Sequence, residues 1–480
     1  MTHDADSRPF PPLRPTRLRS ADWGGKALLV CALALLMTIP GMFVWALIGD
    51  RAHRADGATA EVSRLQGGAQ QVLGPLLIAP YVIPATTKDG DATTGWYVVS
   101  ADTGTATVNV DTETKHRGIF DVPVYTATAD ITATFNKPPS SPNLPAGAVV
   151  NWSGARIVLG FSDLRGGKLD PTATIETPTG RKTVNFSPAS EISLGAPTSG
   201  EGETDRRRGS EPAADGRFGL VSTPAAPLLE GGVLTTKLKF SGAQRLAVMP
   251  FAKSTEIAIA GDWASPSFNG GFLPTGSSVT GGKFQAHWSV PFMARGLVAE
   301  GASGALSLSD LGARDLGVTF LRTNDPYQNV TRALKYAVMF IGLVFLTFFV
   351  FEALSGSRLH PAQYVLIGLA QMVFYLLLLS LSEYIGFDLG FAVAAVATVL
   401  LIGLYAGTAF RAPRYRIQAL VIFSIVYGLI YLLMRLEDFA LLAGSIAAFV
   451  GLTAAMWLTR NIEWYGGKAE PTSENASISH

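Results

Sequence analysis

The stretch YTATADITATF, Tyr125–Phe135, alternates strictly between two kinds of side chain. Tyrosine, alanine, isoleucine and phenylalanine occupy every second position, and threonine or Asp130 fills the positions between them. Because successive side chains of a β-strand point to opposite faces, this period of two predicts a strand with one buried face. Residues Thr105–Glu113 and Thr235–Gly242 alternate in the same way.

More than ten such runs lie between residues 50 and 325, separated by stretches rich in glycine and proline. This arrangement is typical of a large antiparallel β-rich domain, either a sandwich or an open, barrel-like sheet. A segment of about 280 residues can bury a core without disulfides. Residues 197–217 are poor in apolar side chains and predict a flexible loop. Its three consecutive arginines could bind lipid phosphates, but a solvated charge run is the preferred interpretation.

The composition of the whole chain indicates a membrane protein. Of its 480 residues, 48% are hydrophobic and only 16% are charged, and the mean hydropathy is +0.28. Average soluble domains carry about 25% charged residues.

The net charge of +1 argues against a nucleic-acid partner. The single cysteine, Cys31, excludes an intrachain disulfide, and no two histidines have metal-ligand spacing, so neither a metal nor a cofactor is predicted.

Six uncharged apolar stretches are long enough, or nearly so, to cross a bilayer as helices. They are Ala27–Gly49, Tyr336–Phe351, Pro361–Ser382, Leu389–Phe410, Ile417–Met434 and Phe439–Leu458. The second is short, and we expect Lys335 and Glu352 to extend it to about 333–354 by snorkelling outward. The first could be a cleaved signal peptide, but its length and the lack of an Ala-x-Ala site favour an uncleaved anchor.

Basic residues near the ends of these stretches predict the orientation, because cytoplasmic loops carry an excess of lysine and arginine. Arg8, Arg14, Arg17, Arg19 and Lys26 precede the first span. The prediction is therefore a membrane protein with both termini in the cytoplasm and residues of about 50–325 on the outer side of the membrane.

The predicted domain order follows from these assignments. A disordered cytoplasmic tail, 1–26, precedes the span 27–49, the extracytoplasmic β-rich domain 50–325, the five-span bundle 326–460 and a disordered cytoplasmic tail, 461–480. Helical spacing over Ala58–Leu73 predicts a helix beside the membrane. A further helix is predicted to begin at Asp325 and Pro326 and to run unbroken into the second span.

A cluster of charges is predicted at the outer ends of the spans. It comprises Glu383, Asp388, Arg435, Glu437 and Asp438. Ionisable groups at membrane depth are candidates for function, but charges at helix ends also cap helices and fix their positions. Gly386 is expected to end one helix and Asp388 to cap the next, and Asp438 to cap the last helix. Arg435 is expected to pair with Glu383, whose helix ends on the same face, or with Glu437 and Asp438 two and three residues on, and Glu383 is the expected partner across helices.

No catalytic motif is present in the sequence. There is no Gly-x-Ser-x-Gly, no His-Glu-x-x-His, and no Walker or dinucleotide-binding fingerprint. His116 and His287 lie alone in strand-like surroundings, so structural roles are expected for both. The prediction is a protein that is not an enzyme and that has no catalytic residues.

Several segments resemble the CreD family of bacterial inner-membrane proteins, in the same order along about residues 55–465. They are RLQGGAQQVLGPLLIAPY, RGIFDVPVYTA, GFSDLRGG, DWASPSFNGGFLP, TRALKYAVMFIGLVFLTFFVFE, LHPAQYVLIGLAQMVFYLLLLSLSEYIGF and LEDFALLAGS. The resemblance implies an inner-membrane location, a link to envelope integrity and no established reaction. This chain departs from the family at Ala69 or Gln70, where a tryptophan is usual, at Arg435, where glutamine is expected, and at the loop 197–217, which looks like an insertion.

Two functional hypotheses follow. In the first, the β-rich domain binds or senses an unknown envelope component or membrane protein while the bundle anchors it in the lipid bilayer. In the alternative, the bundle is a transporter or lipid-handling device gated by the periplasmic domain. Few polar groups in the spans and no evident inverted repeat favour the first. A hydrolase would need a catalytic constellation that the sequence does not show.

Overall fold

The computed structural model describes residues 23–84, 92–118, 120–192, 194, 218–306, 308–320, 326–355, 357–435 and 440–460. The chain divides into two compact units. The β unit is His53–Thr323, and the helical unit combines residues 1–52 with residues 324–480. The predicted tail 461–480, the predicted flexible loop 197–217 and residues 1–22 of the predicted tail 1–26 lie outside the described residues. Residues 23–26, which were predicted to be disordered, are described and are helical.

Ten α-helices are present in the described residues. They are α1 Trp23–Leu36, α2 Thr38–Leu65, α3 Phe292–Arg295, α4 Leu308–Gly312, α5 Pro326–Lys335, α6 Ala337–Ser355, α7 Pro361–Ile385, α8 Phe387–Ala409, α9 Pro413–Arg435 and α10 Ala440–Thr459.

Five of the described helical segments are long and apolar enough to cross a membrane: Gly24–Leu65, Ala337–Ser355, Pro361–Ile385, Phe387–Ala409 and Pro413–Arg435. The predicted fold class, apolar helices combined with a large β-rich domain, is confirmed. One of these apolar helices precedes the β unit and the others follow it. The sixth predicted span, 439–458, coincides with α10. Its described apolar part, Leu442–Ala454, is shorter than a full crossing.

The long N-terminal helix is irregular at Met37, between α1 and α2. Pro40 has no backbone N–H to donate to the preceding turn. The Thr38 hydroxyl donates to the Leu35 carbonyl of the same turn at 2.7 Å. The helix that was predicted to run unbroken from Pro326 is also interrupted. Tyr336 donates its N–H to Ala333, three residues back, and separates α5 from α6.

The predicted helix over Ala58–Leu73 is wrong beyond Leu65. Gly67 and Gly68 have φ values of 93° and 65°, which favour glycine and end α2. The N–H of Gly68 donates to the Ser63 carbonyl at 2.6 Å in the bonding pattern of a helix C-terminus. Residues from Gln70 onward therefore leave the helix and enter the first strand.

Seventeen strands are described in the β unit. They are β1 Gln70–Ile83, β2 Thr93–Arg117, β3 Phe120–Phe135, β4 Val149–Val150, β5 Arg156–Phe161, β6 Thr172–Thr177, β7 Gly180–Asn185, β8 Ser187–Pro188, β9 Gly219–Pro224, β10 Gly232–Ala243, β11 Arg245–Met249, β12 Ala252–Gly261, β13 Pro266–Gly270, β14 Gly276–Thr280, β15 Lys283–Val290, β16 Glu300–Ala302 and β17 Leu316–Phe320.

The strands form one continuous hydrogen-bonded network, and most pairs are antiparallel, as predicted. The 25-residue strand β2 connects the two halves of this network. Its first part pairs with β1 and β16, and its second part pairs with β3 and β12. Two pairs, β1 with β11 and β2 with β12, are parallel, which the sequence did not predict. This continuity fits a barrel-like sheet better than two separate sheets.

The alternating stretch Tyr125–Phe135 lies in β3, and its apolar positions are all buried. Its register sets Ile131 opposite Ala106 of β2 and Ala129 opposite Leu238 of β10, so three strands contribute to one buried face. Phe251 fills the space beside Gly74 and Gly104, where an added Cβ would come within 2.4 Å of its ring. Close packing of this kind holds the core without a disulfide.

Candidate functional site

The Arg435 cluster consists of Asp388, Tyr431 and Arg435 and joins the start of α8 to the end of α9. Arg435 donates from Nη2 to Oδ1 of Asp388 at 2.5 Å, and the Tyr431 hydroxyl donates to the same oxygen at 3.1 Å. The guanidinium carbon lies 5.6 Å from the Tyr431 ring centre, within the range of a cation–π interaction. Both charged side chains stay about half exposed, at 49% for Arg435 and 48% for Asp388.

Glu383 lies apart from this cluster, near the end of α7. It accepts a hydrogen bond from the Tyr327 hydroxyl at 3.0 Å and lies 3.6 Å from Arg51. Its side chain is only 6% exposed. The predicted pairing of Arg435 with Glu383 is therefore wrong. The reason is that α9 packs beside α8, whose first turn carries Asp388, whereas Glu383 contacts residues of α2 and α5.

The other members of the predicted cluster have different outcomes. Gly386 ends α7 as expected, but it also serves as the N-cap of α8, with no side-chain cap. Asp388 is the second residue of α8, where the helix dipole still favours a carboxylate, and its charge pairs with Arg435 instead of capping. Glu437 and Asp438 lie outside the described residues.

A double-mutant cycle tests the new pairing. We expect Arg435→Gln and Asp388→Asn to show a coupling energy of about 0.5 kcal/mol, because exposed ion pairs contribute little to stability. Arg435→Gln with Glu383→Gln is the matched control, with no measurable coupling expected. Thermal unfolding of the detergent-solubilised full chain measures the coupling energy of each pair. A larger coupling of Arg435 to Glu383 than to Asp388 would contradict the assignment.

A second site is centred on Glu352, in the last turns of α6. The Glu352 site comprises Lys26, Glu352, Leu359 and Tyr364. Glu352 is fully buried and accepts hydrogen bonds from the Lys26 ammonium, from the Leu359 N–H at 3.0 Å and from the Tyr364 hydroxyl at 3.0 Å. Lys26 also donates to the Leu359 carbonyl at 3.1 Å. The site therefore joins α1 to α6 and α7.

The expectation that Glu352 snorkels outward is wrong. A carboxylate out of water is tolerated only when it is paired and its oxygens are hydrogen-bonded, and both conditions hold here. Lys26 and Glu352 are 326 residues apart, so no local pattern links them. One signal could have suggested the pair, since both residues flank apolar stretches on the side predicted to be cytoplasmic.

The β unit contains a buried ion pair that the sequence analysis did not identify. Arg245 of β11 donates from Nη1 and Nη2 to the two oxygens of Asp315, each at 2.7 Å. Gln71 of β1 donates to Asp315 at 2.5 Å, and Nε of Arg245 donates to Asn269 of β13 at 3.0 Å. The Asp315 side chain is only 4% exposed. This network ties three strands to the residue that precedes β17.

Arg295 is a fully buried cation at the end of α3. It donates to the Ala252 carbonyl at 3.1 Å and to the Ser100 hydroxyl at 2.9 Å. Burial, together with the nearby charge of Arg314, lowers the pKa of Arg295 to about 10. Because its pKa still lies well above neutral, Arg295 remains charged at neutral pH and cannot act as a base there.

A cleft of about 460 Å³ opens in the β unit. We call it the Leu169 cleft. Its apolar walls include Phe161, Leu164, Leu169, Phe186 and Leu238. Two exposed lysines, Lys168 and Lys239, also line it together with the exposed Asp170, and the Lys168 N–H donates to the Lys239 carbonyl at 2.9 Å. The two lysines outnumber the single carboxylate, so the cleft suits a ligand with an apolar part and a negative charge.

The two histidines of the β unit have different surroundings. His116 of β2 lies 2.6 Å from Asp121 of β3, and both side chains are exposed, so the interpretation of His116 as isolated is wrong. His287 of β15 lies opposite Ala258 and accepts a hydrogen bond from Thr275 at its backbone carbonyl. Among the described residues, no three side chains of His, Cys, Asp or Glu converge on a position that could hold a metal ion.

Comparison with known proteins covers both units. The family model described as "Inner membrane protein CreD" matches residues 23–465. Inner membrane protein CreD of Escherichia coli (strain K12) is 29% identical over 452 residues, which is 90% of this chain and 91% of that protein. A match of this extent, with the apolar helices described above, indicates a multi-pass protein of the inner membrane. The chain belongs to the CreD family.

Proposed function

We propose that this chain is a non-enzymatic protein that contributes to cell-envelope integrity by binding an envelope component in its β unit. The helical unit anchors the protein in the inner membrane. The observation that carries this proposal is the Leu169 cleft, because a preformed concave surface with an apolar floor and a few polar groups is the usual form of a ligand site.

The orientation is part of the proposal. Four arginines precede α1 and Lys26 lies in its first turn, and the positive-inside rule assigns these five basic residues to the cytoplasm. One crossing then brings the β unit into the periplasm, and five further crossings, of which α10 is the last, return the C-terminus to the cytoplasm. In this orientation the Leu169 cleft faces the space that contains the cell wall and its lipid-linked precursors, together with the surfaces of both membranes.

The ligand is inferred from the chemistry of the cleft. Leu164 and Leu169 are 41% and 62% exposed, which costs free energy unless a ligand covers them. Lys168 and Lys239 favour an anionic group near this apolar surface. The envelope component is therefore an anionic amphiphile, with an apolar part on the leucines and its negative charge beside the lysines.

The absence of catalysis in this proposal is supported by the surroundings of the candidate groups. His116 and its partner Asp121 are both exposed on one hairpin, where no described residue forms an enclosed reaction site around them. Arg295 is enclosed but remains charged at neutral pH, as described above. Within the described residues the Leu169 cleft contains no histidine or cysteine among its lining side chains.

Photocrosslinking in living cells tests the proposal. A photoreactive amino acid in place of Leu169 is expected to capture an amphiphilic envelope component, identified by mass spectrometry of the full-length protein. The matched control is Leu273, which is 78% exposed in the same unit and does not line the cleft. Equal labelling of the same component at both positions would overturn the proposal, as would labelling at neither.

A further inference from the structure

An apolar groove of about 520 Å³ runs between α8 and α9. On α8 its lining residues run from Asp388 to Leu400 at spacings of three and four, and on α9 they run from Leu420 to Tyr431 in the same way. Each helix therefore gives one continuous face to the groove. The groove is not filled by large side chains, since Ala392, Ala395 and Gly428 line it.

The length of the groove matches one leaflet of a bilayer. From Asp388 to Leu400 the helix advances by about 18 Å, at 1.5 Å per residue. Half of a hydrocarbon core is about 15 Å thick. A groove of this length fits a single acyl chain that runs from the headgroup region to the middle of the membrane.

The charged end of the groove is the Arg435 cluster. Asp388 and Tyr431 line the groove directly, and Arg435 contacts both of them. Arg435 uses Nε and Nη2 in its contacts with these two partners, and Nη1 takes part in no hydrogen bond to a described residue. The exposed sides of the guanidinium and the carboxylate can therefore each meet a group of opposite charge.

We propose that this groove binds a zwitterionic phospholipid with a primary ammonium, of the phosphoethanolamine type. One acyl chain lies between α8 and α9. The phosphate accepts hydrogen bonds from the Arg435 guanidinium, whose planar donors suit a phosphate. The ammonium donates to Asp388. An anionic lipid without an ammonium group would leave the exposed side of Asp388 unpaired, and a quaternary ammonium has no hydrogen to donate to it.

This site is separate from the Leu169 cleft and does not depend on the function proposed for the β unit. It also does not depend on which membrane face carries the Arg435 cluster. It assigns a specific lipid-binding role to a charge pair that would otherwise serve only to hold two helix ends together.

The test uses the full chain in detergent, with native mass spectrometry of bound lipid at equal concentrations of phosphatidylethanolamine, phosphatidylcholine and phosphatidylglycerol. Gly428→Leu fills the groove, because an added Cβ at Gly428 meets nothing within 4 Å. Gly342→Leu is the matched control, as Gly342 of α6 is equally open and does not line the groove. We expect Gly428→Leu to lower phosphatidylethanolamine binding about fivefold or more, and Gly342→Leu to leave it unchanged.

Asp388→Asn tests the headgroup contact. It is expected to abolish the preference for phosphatidylethanolamine over phosphatidylglycerol, because the ammonium loses its carboxylate partner, while thermal stability stays close to that of the unmodified protein. Two results would overturn the proposal. In the first, both leucine variants bind phosphatidylethanolamine as well as the unmodified protein, which would mean that only annular lipid is present. In the second, the unmodified protein shows no preference for phosphatidylethanolamine over the other two lipids.

Discussion

Replacing Lys26 with methionine is expected to lower the free energy of unfolding by about 3–5 kcal/mol, because it leaves the buried carboxylate of Glu352 without its counter-ion. The Leu359 N–H and the Tyr364 hydroxyl would remain as partners, but neither carries a positive charge. Thermal unfolding in detergent and the amount of folded protein in the membrane measure the effect. The matched control is Lys335→Met at an exposed lysine of the same unit, with a change within about 0.5 kcal/mol.

The double variant Lys26→Met/Glu352→Leu separates pairing from packing. Replacing both members of a buried ion pair with apolar residues is often neutral, whereas breaking the pair leaves one buried charge. We therefore expect the double variant to be more stable than Lys26→Met alone. If the losses from the two single substitutions simply add, Lys26 and Glu352 do not stabilise each other and the site is assigned wrongly.

Replacing Arg245 with methionine is expected to cost the β unit about 3–5 kcal/mol. Asp315 would keep Gln71 as a donor but would lose both hydrogen bonds from the guanidinium. Chemical unfolding of the full-length protein, followed by tryptophan fluorescence, reports the loss. Arg181→Met is the control, because Arg181 forms an exposed pair with Glu176 on the same unit, and a cost of about 0.5 kcal/mol or less is expected. A similar cost for both variants would show that burial of the Arg245 pair does not matter.

The elements that the sequence predicts well are those with a local signal. The strand at Tyr125–Phe135 follows from its period of two, and the apolar helices follow from hydropathy and length. The helix predicted to reach Leu73 fails because Val72 satisfies a helical spacing and a strand pattern equally well. The positive φ angles at Gly67 and Gly68 decide between the two, and the sequence analysis did not weigh these two glycines as helix-ending residues.

The candidate site was harder to predict, because its contacts join distant parts of the chain. Arg435 stands out in the sequence as a charge between apolar stretches, but its partner depends on which helices are neighbours. Hydropathy gives the spans and not their packing order. Glu352 looked like an ordinary helix-end charge, and its burial depends on Lys26 at the other end of the sequence. The Leu169 cleft combines residues of several strands and has no sequence signature.

The long strand β2 and the parallel pair β1–β11 also constrain the order in which the strands can pair while the chain is being synthesised. Val72 of β1 pairs with Val248 of β11, and Leu246 of β11 pairs with Val318 of β17. The edge of β1 therefore waits for β11, and the edge of β11 stays open until the ribosome has made nearly the whole β unit. Pro326, the first residue of α5, emerges only a few residues after β17. Closing the edge of β11 thus coincides with the arrival of the next membrane helix, and until then the nascent chain exposes an unpaired strand edge of the kind that is prone to aggregation.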